Sequence, residues 1–77
     1  MSDPIRYPRG ETVWVRYCSM DGVTRFLLTS RESRECFFLY YVAPDGSLTR
    51  LGKAKSPPEL ERKFNVEQVL RDFPKQN

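Results

Sequence analysis

Eight consecutive residues, Cys36 to Ala43, contain no charge, no glycine and no proline. Aromatic and β-branched side chains are frequent in this run, and they favour the pleated, packed surface of a β-strand. A run this short and this apolar is typical of a strand that is covered on at least one face. The sequence therefore predicts that 36–43 is the central strand of a sheet, and that the rest of the chain pairs with it or covers it.

The length and composition of the chain limit both its size and its chemistry. With 77 residues, 39% of them hydrophobic, it has material for one domain and one small core. It contains no apolar run of about 18 residues, and its charged N-terminus lacks the apolar segment of a signal peptide. We therefore expect one cytoplasmic domain with no membrane-spanning helix.

The cysteine content argues against a metal site. Cys18 and Cys36 are the two cysteines, and histidine is absent. Two cysteines this far apart, without histidine, do not match the ligand spacing of a zinc site. We expect no metal and no cofactor, with both thiols buried as small apolar side chains and not joined in a disulfide.

The first hairpin is predicted from an alternating pattern followed by a turn signal. Apolar and polar residues alternate from Thr12 to Ser19, which indicates a half-buried strand. A two-residue type I′ loop at Asp21-Gly22 keeps the apolar residues of both strands on one face, whereas a three-residue loop would split them. The expected pairs are Tyr17 with Phe26, Val15 with Leu28 and Val13 with Ser30. The opposite face would then show Trp14, Arg16, Cys18, Arg25, Leu27 and Thr29.

The second hairpin is predicted around Pro44-Asp45-Gly46. Proline and aspartate suit the central positions of a type I turn, and Gly46 suits the left-handed position that follows. The expected pairs are Val42 with Leu48, Leu39 with Leu51 and Tyr40 with Arg50.

A charged segment, 31–35, lies between the two hairpins and is expected to be a solvated loop. Its arginines, Arg31 and Arg34, could hold a phosphate group. Because Glu32 and Glu35 stand beside them and cancel most of the local field, the sequence favours a loop without a binding role.

Two short helices are predicted after the sheet. Ser56, followed by two prolines and then Glu59, is typical of a capping box that opens a helix. Leu60 and Phe64 point to one side of such a helix, whereas Val66, Val69, Leu70 and Phe73 point to nearly the opposite side. We therefore expect helices at about 57–64 and 66–73 with a corner at Asn65. Pro74 is expected to end the second helix, and 75–77 to fray.

These elements predict an α+β domain over residues 1–77. Its parts are an irregular N-terminal arm (1–11), a four-stranded antiparallel sheet of two β-hairpins (12–54), a helical segment on one face of the sheet (56–73) and a frayed tail (74–77). The hairpins can join through their outer strands or through the second and third strands, and the sequence leaves both orders open.

The residue types argue against an enzyme. Without histidine, the commonest general base and the usual partner of a serine or cysteine nucleophile is missing. The carboxylate pairs Glu32/Glu35 and Glu59/Glu61 lie in a loop and at a predicted helix start, where acidic residues need no catalytic explanation. No glycine-rich phosphate loop is present. We therefore expect a protein that acts by binding.

Two kinds of partner remain open. The net charge of +3 arises mainly in residues 1–55, which hold nine Lys and Arg against six Asp and Glu. Aromatic residues interleaved with basic ones on strands are typical of surfaces that stack bases and contact phosphates, so single-stranded nucleic acid is the first interpretation. A protein partner, an inhibitor-type accessory role or a homodimer is the alternative, because Trp, Tyr and Arg also form protein interfaces. The candidate binding residues are Trp14, Arg16, Arg25, Tyr40, Tyr41, Arg50, Lys53 and Lys55.

Overall fold

Four strands and two helices follow one another along residues 5–73, the part of the chain that the computed structural model describes. The elements are β1 (Glu11–Cys18), β2 (Thr24–Arg31), β3 (Phe37–Val42), β4 (Leu48–Ala54), α1 (Pro57–Lys63) and α2 (Val66–Arg71). The strands form one antiparallel sheet, so the predicted α+β class is confirmed. The start of the predicted arm (1–4), the helix stop at Pro74 and the fraying of 75–77 lie outside the described residues.

The sheet has the strand order β1-β2-β3-β4, which decides the question that the sequence left open. The two hairpins join through β2 and β3, with Phe26 opposite Tyr41 and Leu28 opposite Leu39. The apolar run 36–43 is therefore central, as predicted, and β1 and β4 are the edges.

One face of the sheet, here called the helix face, carries Phe26, Leu28 and Leu39 and is covered by both helices. Leu60 from α1 and Val66 from α2 complete this core, and all five side chains are at most 3% exposed. The two helices approach the sheet closely because β4 has a glycine at the contact. A Cβ atom at Gly52 would lie 2.7 Å from Cζ of Phe64, so the glycine makes room for this ring.

The corner between the helices confirms the prediction from the sequence. Asn65 has φ 52° and ψ 45°, the left-handed conformation that asparagine tolerates, and α2 starts at the next residue. The capping boxes are not formed, however. Within the described part of the chain, neither the Ser56 nor the Asn65 side chain makes a capping hydrogen bond.

The turn of the first hairpin differs from the prediction. The amide of Ser19 bonds to the carbonyl of Val23, which encloses the three residues Met20, Asp21 and Gly22. The second hairpin uses the same pattern around Pro44-Asp45-Gly46, as predicted, and Gly22 and Gly46 both have positive φ. Arg25 then stands as an extra residue on β2, and this bulge restores the predicted pairing of Tyr17 with Phe26.

Two further bulges correct the predicted registers. Trp14 is an extra residue on β1, so Val13 lies opposite Thr29 and not Ser30. Leu51 is an extra residue on β4, so Leu39 lies opposite Gly52. A one-residue shift in register moves a side chain to the other face of the sheet. Val13 accordingly packs on the opposite face from Tyr17, against a different group of buried residues.

The second face of the sheet, here called the arm face, has a core of its own. Leu27, Phe38, Tyr40 and Val42 are all at most 6% exposed there. Ile5 of the N-terminal arm packs on them, and the Arg6 amide bonds to the Gly46 carbonyl at 2.9 Å. The expectation of an open face showing Leu27 and Thr29 is therefore wrong, because both residues are fully buried.

The cysteines follow the prediction in part. Cys18 and Cys36, both within residues 5–73, are free thiols. Cys18 is exposed and not buried as predicted, whereas Cys36 is half-buried against the core of the arm face. Neither helix in the described residues is long and apolar enough to cross a membrane.

Candidate functional site

The structure does not gather the predicted aromatic residues on one open sheet face. Tyr41 is half-buried on the helix face, where its ring meets Phe26 edge-on at 5.8 Å. Tyr40 is 6% exposed on the arm face. Tyr40 and Tyr41 are thus parts of two cores on opposite sides of the sheet.

Arg25 and Arg16 are already engaged elsewhere. The Arg25 guanidinium pairs with Asp21 at 3.0 Å, donates to the Ser19 hydroxyl at 3.1 Å and lies 4.3 Å from the Phe73 ring. Hydrogen bonds from Ser19 and the Val23 amide, with the Arg25 charge, hold the pKa of Asp21 below its usual value. Arg25 therefore ties the β1–β2 turn together. Arg16 is exposed and lies 5.5 Å from the ring of Tyr7 in the arm.

Trp14 lies at the β1 edge of the sheet, next to the loop between β2 and β3. Its indole N–H donates to the Ser30 hydroxyl at 2.7 Å, and the ring is 44% exposed. The Arg34 guanidinium from the β2–β3 loop lies 5.0 Å from the ring centre, within cation–π range. Trp14 and Arg34 therefore form a half-exposed pair that the sequence did not connect.

A hydrogen-bonded network on the arm face is built around Glu11, whose side chain is only 8% exposed. Its carboxylate accepts hydrogen bonds from the Thr29 hydroxyl at 2.6 Å and the Tyr40 hydroxyl at 2.9 Å. Arg50 Nη2 lies 3.2 Å from the same carboxylate. Burial, together with the Glu11 charge, raises the pKa of Tyr40 despite the opposing effect of Arg50. This buried carboxylate is satisfied by three donors.

The network fixes the position of Arg50. Its Nε and Nη2 atoms donate to the Tyr40 hydroxyl at 3.2 and 2.9 Å, and its guanidinium lies 4.2 Å from the Phe38 ring. The hydrogen bond to Tyr40 raises the pKa of Arg50. The Arg50 side chain is nevertheless 44% exposed. Its inner edge is held by the protein while its outer edge faces solvent.

Arg50 borders a shallow recess of about 190 Å³, here called the basic recess. Arg31 contributes a second guanidinium 5.7 Å from the same Phe38 ring. Lys53 is the cross-strand neighbour of Phe38 on β4 and so lies on the same face. The full lining is Arg31, Ser33, Glu35, Cys36, Phe38, Arg50 and Lys53.

The charges of the basic recess are only partly neutralised. Within residues 5–73 the ion pairs join Arg25 to Asp21, Arg50 to Glu11 and Arg71 to Glu67. Arg31 and Lys53 belong to none of them, and one carboxylate, Glu35, shares the recess lining. The basic recess therefore carries a net positive charge.

Of the candidate residues from the sequence, the structure brings Arg50 and Lys53 together with Tyr40 beside them. Lys55 is exposed just beyond the end of β4. Two residues of this face were not among the candidates from the sequence. Arg31 was expected to be neutralised by the glutamates beside it in the chain, and Glu11 was expected to lie in the N-terminal arm. The strand periodicity was the available signal. Leu27, Thr29 and Arg31 are each two residues apart on β2, so their side chains lie on the same face of the sheet.

Comparisons with protein-family models, with curated proteins and with solved structures found no match to this chain. Among the described residues, no three side chains of His, Cys, Asp or Glu form a group that could hold a metal ion.

The opposite end of the sheet has a different character. Met20 is 87% exposed and Val23 is 42% exposed at the β1–β2 turn. Val23 also lines a recess of about 520 Å³, together with Ile5, Val42 and Pro44 among other residues. This end offers apolar surface where the β2–β3 end offers cations.

Proposed function

We propose that this domain is a non-enzymatic binding protein that holds single-stranded nucleic acid at the β2–β3 end of the sheet. The observation that carries the proposal is the basic recess, in which Arg31 and Lys53 stand beside Arg50 without a carboxylate partner among residues 5–73. Phosphate groups are the natural partners of such a cluster, because each contact releases a condensed counterion.

The β2–β3 loop connects this recess to the second part of the proposed interface. Arg31 ends β2 on the arm face, and three residues later Arg34 stacks on Trp14 at the β1 edge. A single strand that crosses the loop meets phosphate ligands at the basic recess and a half-exposed indole at Trp14. Stacking of a base on an aromatic ring contributes about 1–3 kcal/mol and tolerates any sequence.

The proposal is tested by fluorescence anisotropy with a labelled mixed-sequence oligonucleotide and two charge-matched double variants. Arg31→Gln/Lys53→Gln removes two charges from the basic recess, whereas Arg62→Gln/Arg71→Gln removes two exposed charges from the helices. We expect the first variant to bind about tenfold or more weakly and to reduce the slope of log K against log salt by about 1.4, because two single-strand phosphate contacts are lost.

The helix variant is expected to bind almost like the parent protein. Circular dichroism should show that both variants fold. An equal loss of affinity in the two variants would mean that binding follows net charge and not the basic recess, and it would refute the proposal.

The apolar end supports a second candidate function, binding of a protein partner. The specific observation is the exposed apolar surface of the β1–β2 turn, where Met20 is 87% exposed and Val23 lines a recess with Ile5, Val42 and Pro44. If this function is the main one, Met20→Lys should abolish self-association or partner capture in sedimentation experiments and leave the oligonucleotide affinity unchanged. A protein that stays monomeric and captures no partner would argue against it.

A further inference from the structure

Arg50 presents unused hydrogen-bond donors to the basic recess. An arginine side chain has five N–H donors in a rigid planar fork. Those on Nε and Nη2 are directed to Tyr40 and Glu11, whereas Nη1 bonds to no residue from 5 to 73. Arg50 lines the recess with a side chain that is 44% exposed, so its Nη1 donors are available to a ligand there.

This fork is held rigidly before any ligand arrives. Phe38, 5% exposed, forms the floor beneath the guanidinium, and the Glu11 carboxylate and the Tyr40 hydroxyl hold its inner edge. Ordering a free arginine side chain on binding costs conformational entropy. That cost is largely met here when the protein folds, so ligand binding requires little further ordering.

The rest of the recess supplies matching groups. Arg31 lies over the same Phe38 ring, Lys53 is its cross-strand neighbour, and the Ser33 hydroxyl is in the lining. Two guanidinium groups, an ammonium group and a hydroxyl are donors that suit a tetrahedral oxyanion. The single carboxylate in the lining, Glu35, leaves the site net positive.

We infer that the basic recess is a discrete binding site for a phosphate group. The chemistry is shared by the phosphodiester of a nucleic-acid backbone and by a free phosphate or nucleotide. The inference rests on the proposed function in one respect: a bound single strand would be anchored by a phosphate group in this recess.

The experiment is an NMR titration of the labelled protein with inorganic phosphate, with sodium chloride at matched ionic strength as the control. We expect saturable shifts at the backbone amides of Ser33, Phe38 and Lys53 and at the Arg50 Nε–H signal, with phosphate and not with chloride. Shifts that are the same with both salts, or that do not saturate, would overturn the inference.

Two variants test the assigned geometry. Arg50→Lys keeps the charge but removes the planar fork, and we expect it to weaken phosphate binding about fivefold or more. Lys53→Gln, on an exposed side chain, should weaken it without changing the stability of the fold. Arg62→Gln on α1 is the matched control and should leave the affinity unchanged. Equal affinities for all three variants would contradict the assigned site.

A parallel titration with an oligonucleotide separates the inference from the proposed function. Phosphate binding at the recess without oligonucleotide binding would support the site, assign it to small phosphorylated ligands and refute the proposed function. Oligonucleotide binding that leaves the recess signals unshifted would overturn the site and keep the function. Both ligands shifting the same recess signals is the expected result.

Discussion

The two faces of the sheet are covered in different ways, and the difference separates stability from binding. On the helix face, α1 and α2 close an apolar core of Phe26, Leu28 and Leu39. On the arm face, the segment before β1 covers only part of the surface, and the remainder is a polar network with exposed cations. A small domain can leave part of one face available for a ligand when the other face supplies a closed core.

The largest expected effect on stability comes from a cavity in the core of the helix face. Leu60→Ala removes a fully buried side chain of α1 from the helix-face core and should lower the free energy of unfolding by about 2–5 kcal/mol. Ile5→Ala removes a half-buried contact of the arm and should cost about 1 kcal/mol. Urea denaturation of both variants measures the contrast. Equal losses would show that the arm is as much a part of the core as the helices are.

A smaller effect should come from the carboxylate that organises the arm face. Glu11→Ala leaves the Thr29 and Tyr40 hydroxyls without their acceptor in a buried setting, and we expect a loss of about 1–3 kcal/mol. Glu61→Ala is the matched control on the other face, because Glu61 accepts one exposed hydrogen bond from Tyr17. Its loss should stay below about 1 kcal/mol. Chemical denaturation that ranks Glu61 above Glu11 would contradict the described network.

The smallest expected effects are on the pH dependence of stability, in alkaline solution. Burial and the hydrogen bond to Glu61 raise the pKa of Tyr17, and burial raises that of Tyr40. A raised pKa in the folded state gives stability that is complete below the unfolded value, about 10, and is lost as the pH rises through the folded value. Tyr17→Phe should therefore reduce the decline in stability above pH 10.

Tyr40→Phe should reduce the same decline by less, because the neighbouring Arg50 cation offsets part of the rise in the Tyr40 pKa. Thermal unfolding of both variants between neutral and alkaline pH provides the test. A steeper alkaline loss in either variant than in the parent protein would contradict the assigned pKa directions.

Local patterns predicted the elements of the fold but not the contacts that decide the site. The corner at Asn65, the Pro44 turn and the pairing of Tyr17 with Phe26 follow from residue preferences and alternation. The three bulges do not, because an extra residue such as Trp14 is fixed by a contact between strands, its hydrogen bond to Ser30. The repeated Asp-Gly of the two turns was a usable signal for the three-residue loop in both hairpins.

The candidate site was predicted only in part, because local patterns do not show which side chains meet across the sheet. Arg50 and Lys53 were selected from composition, since basic residues on strands stand out in a sequence. Arg31 was underestimated because its acidic neighbours are close along the chain, whereas its own side chain lies over Phe38 on the arm face. The role of Glu11 depends on the strand order, which places β1 beside β2 and lets the carboxylate reach Tyr40 and Arg50.

The most direct test of the account is a heteronuclear NMR titration with a mixed-sequence single-stranded oligonucleotide at low and at moderate salt. We expect shifts that gather on the Trp14 indole, on residues 31–36 and on Arg50 and Lys53, and that weaken as salt rises. Absence of shifts at low salt, or shifts confined to Met20 and Val23, would contradict binding at the basic recess.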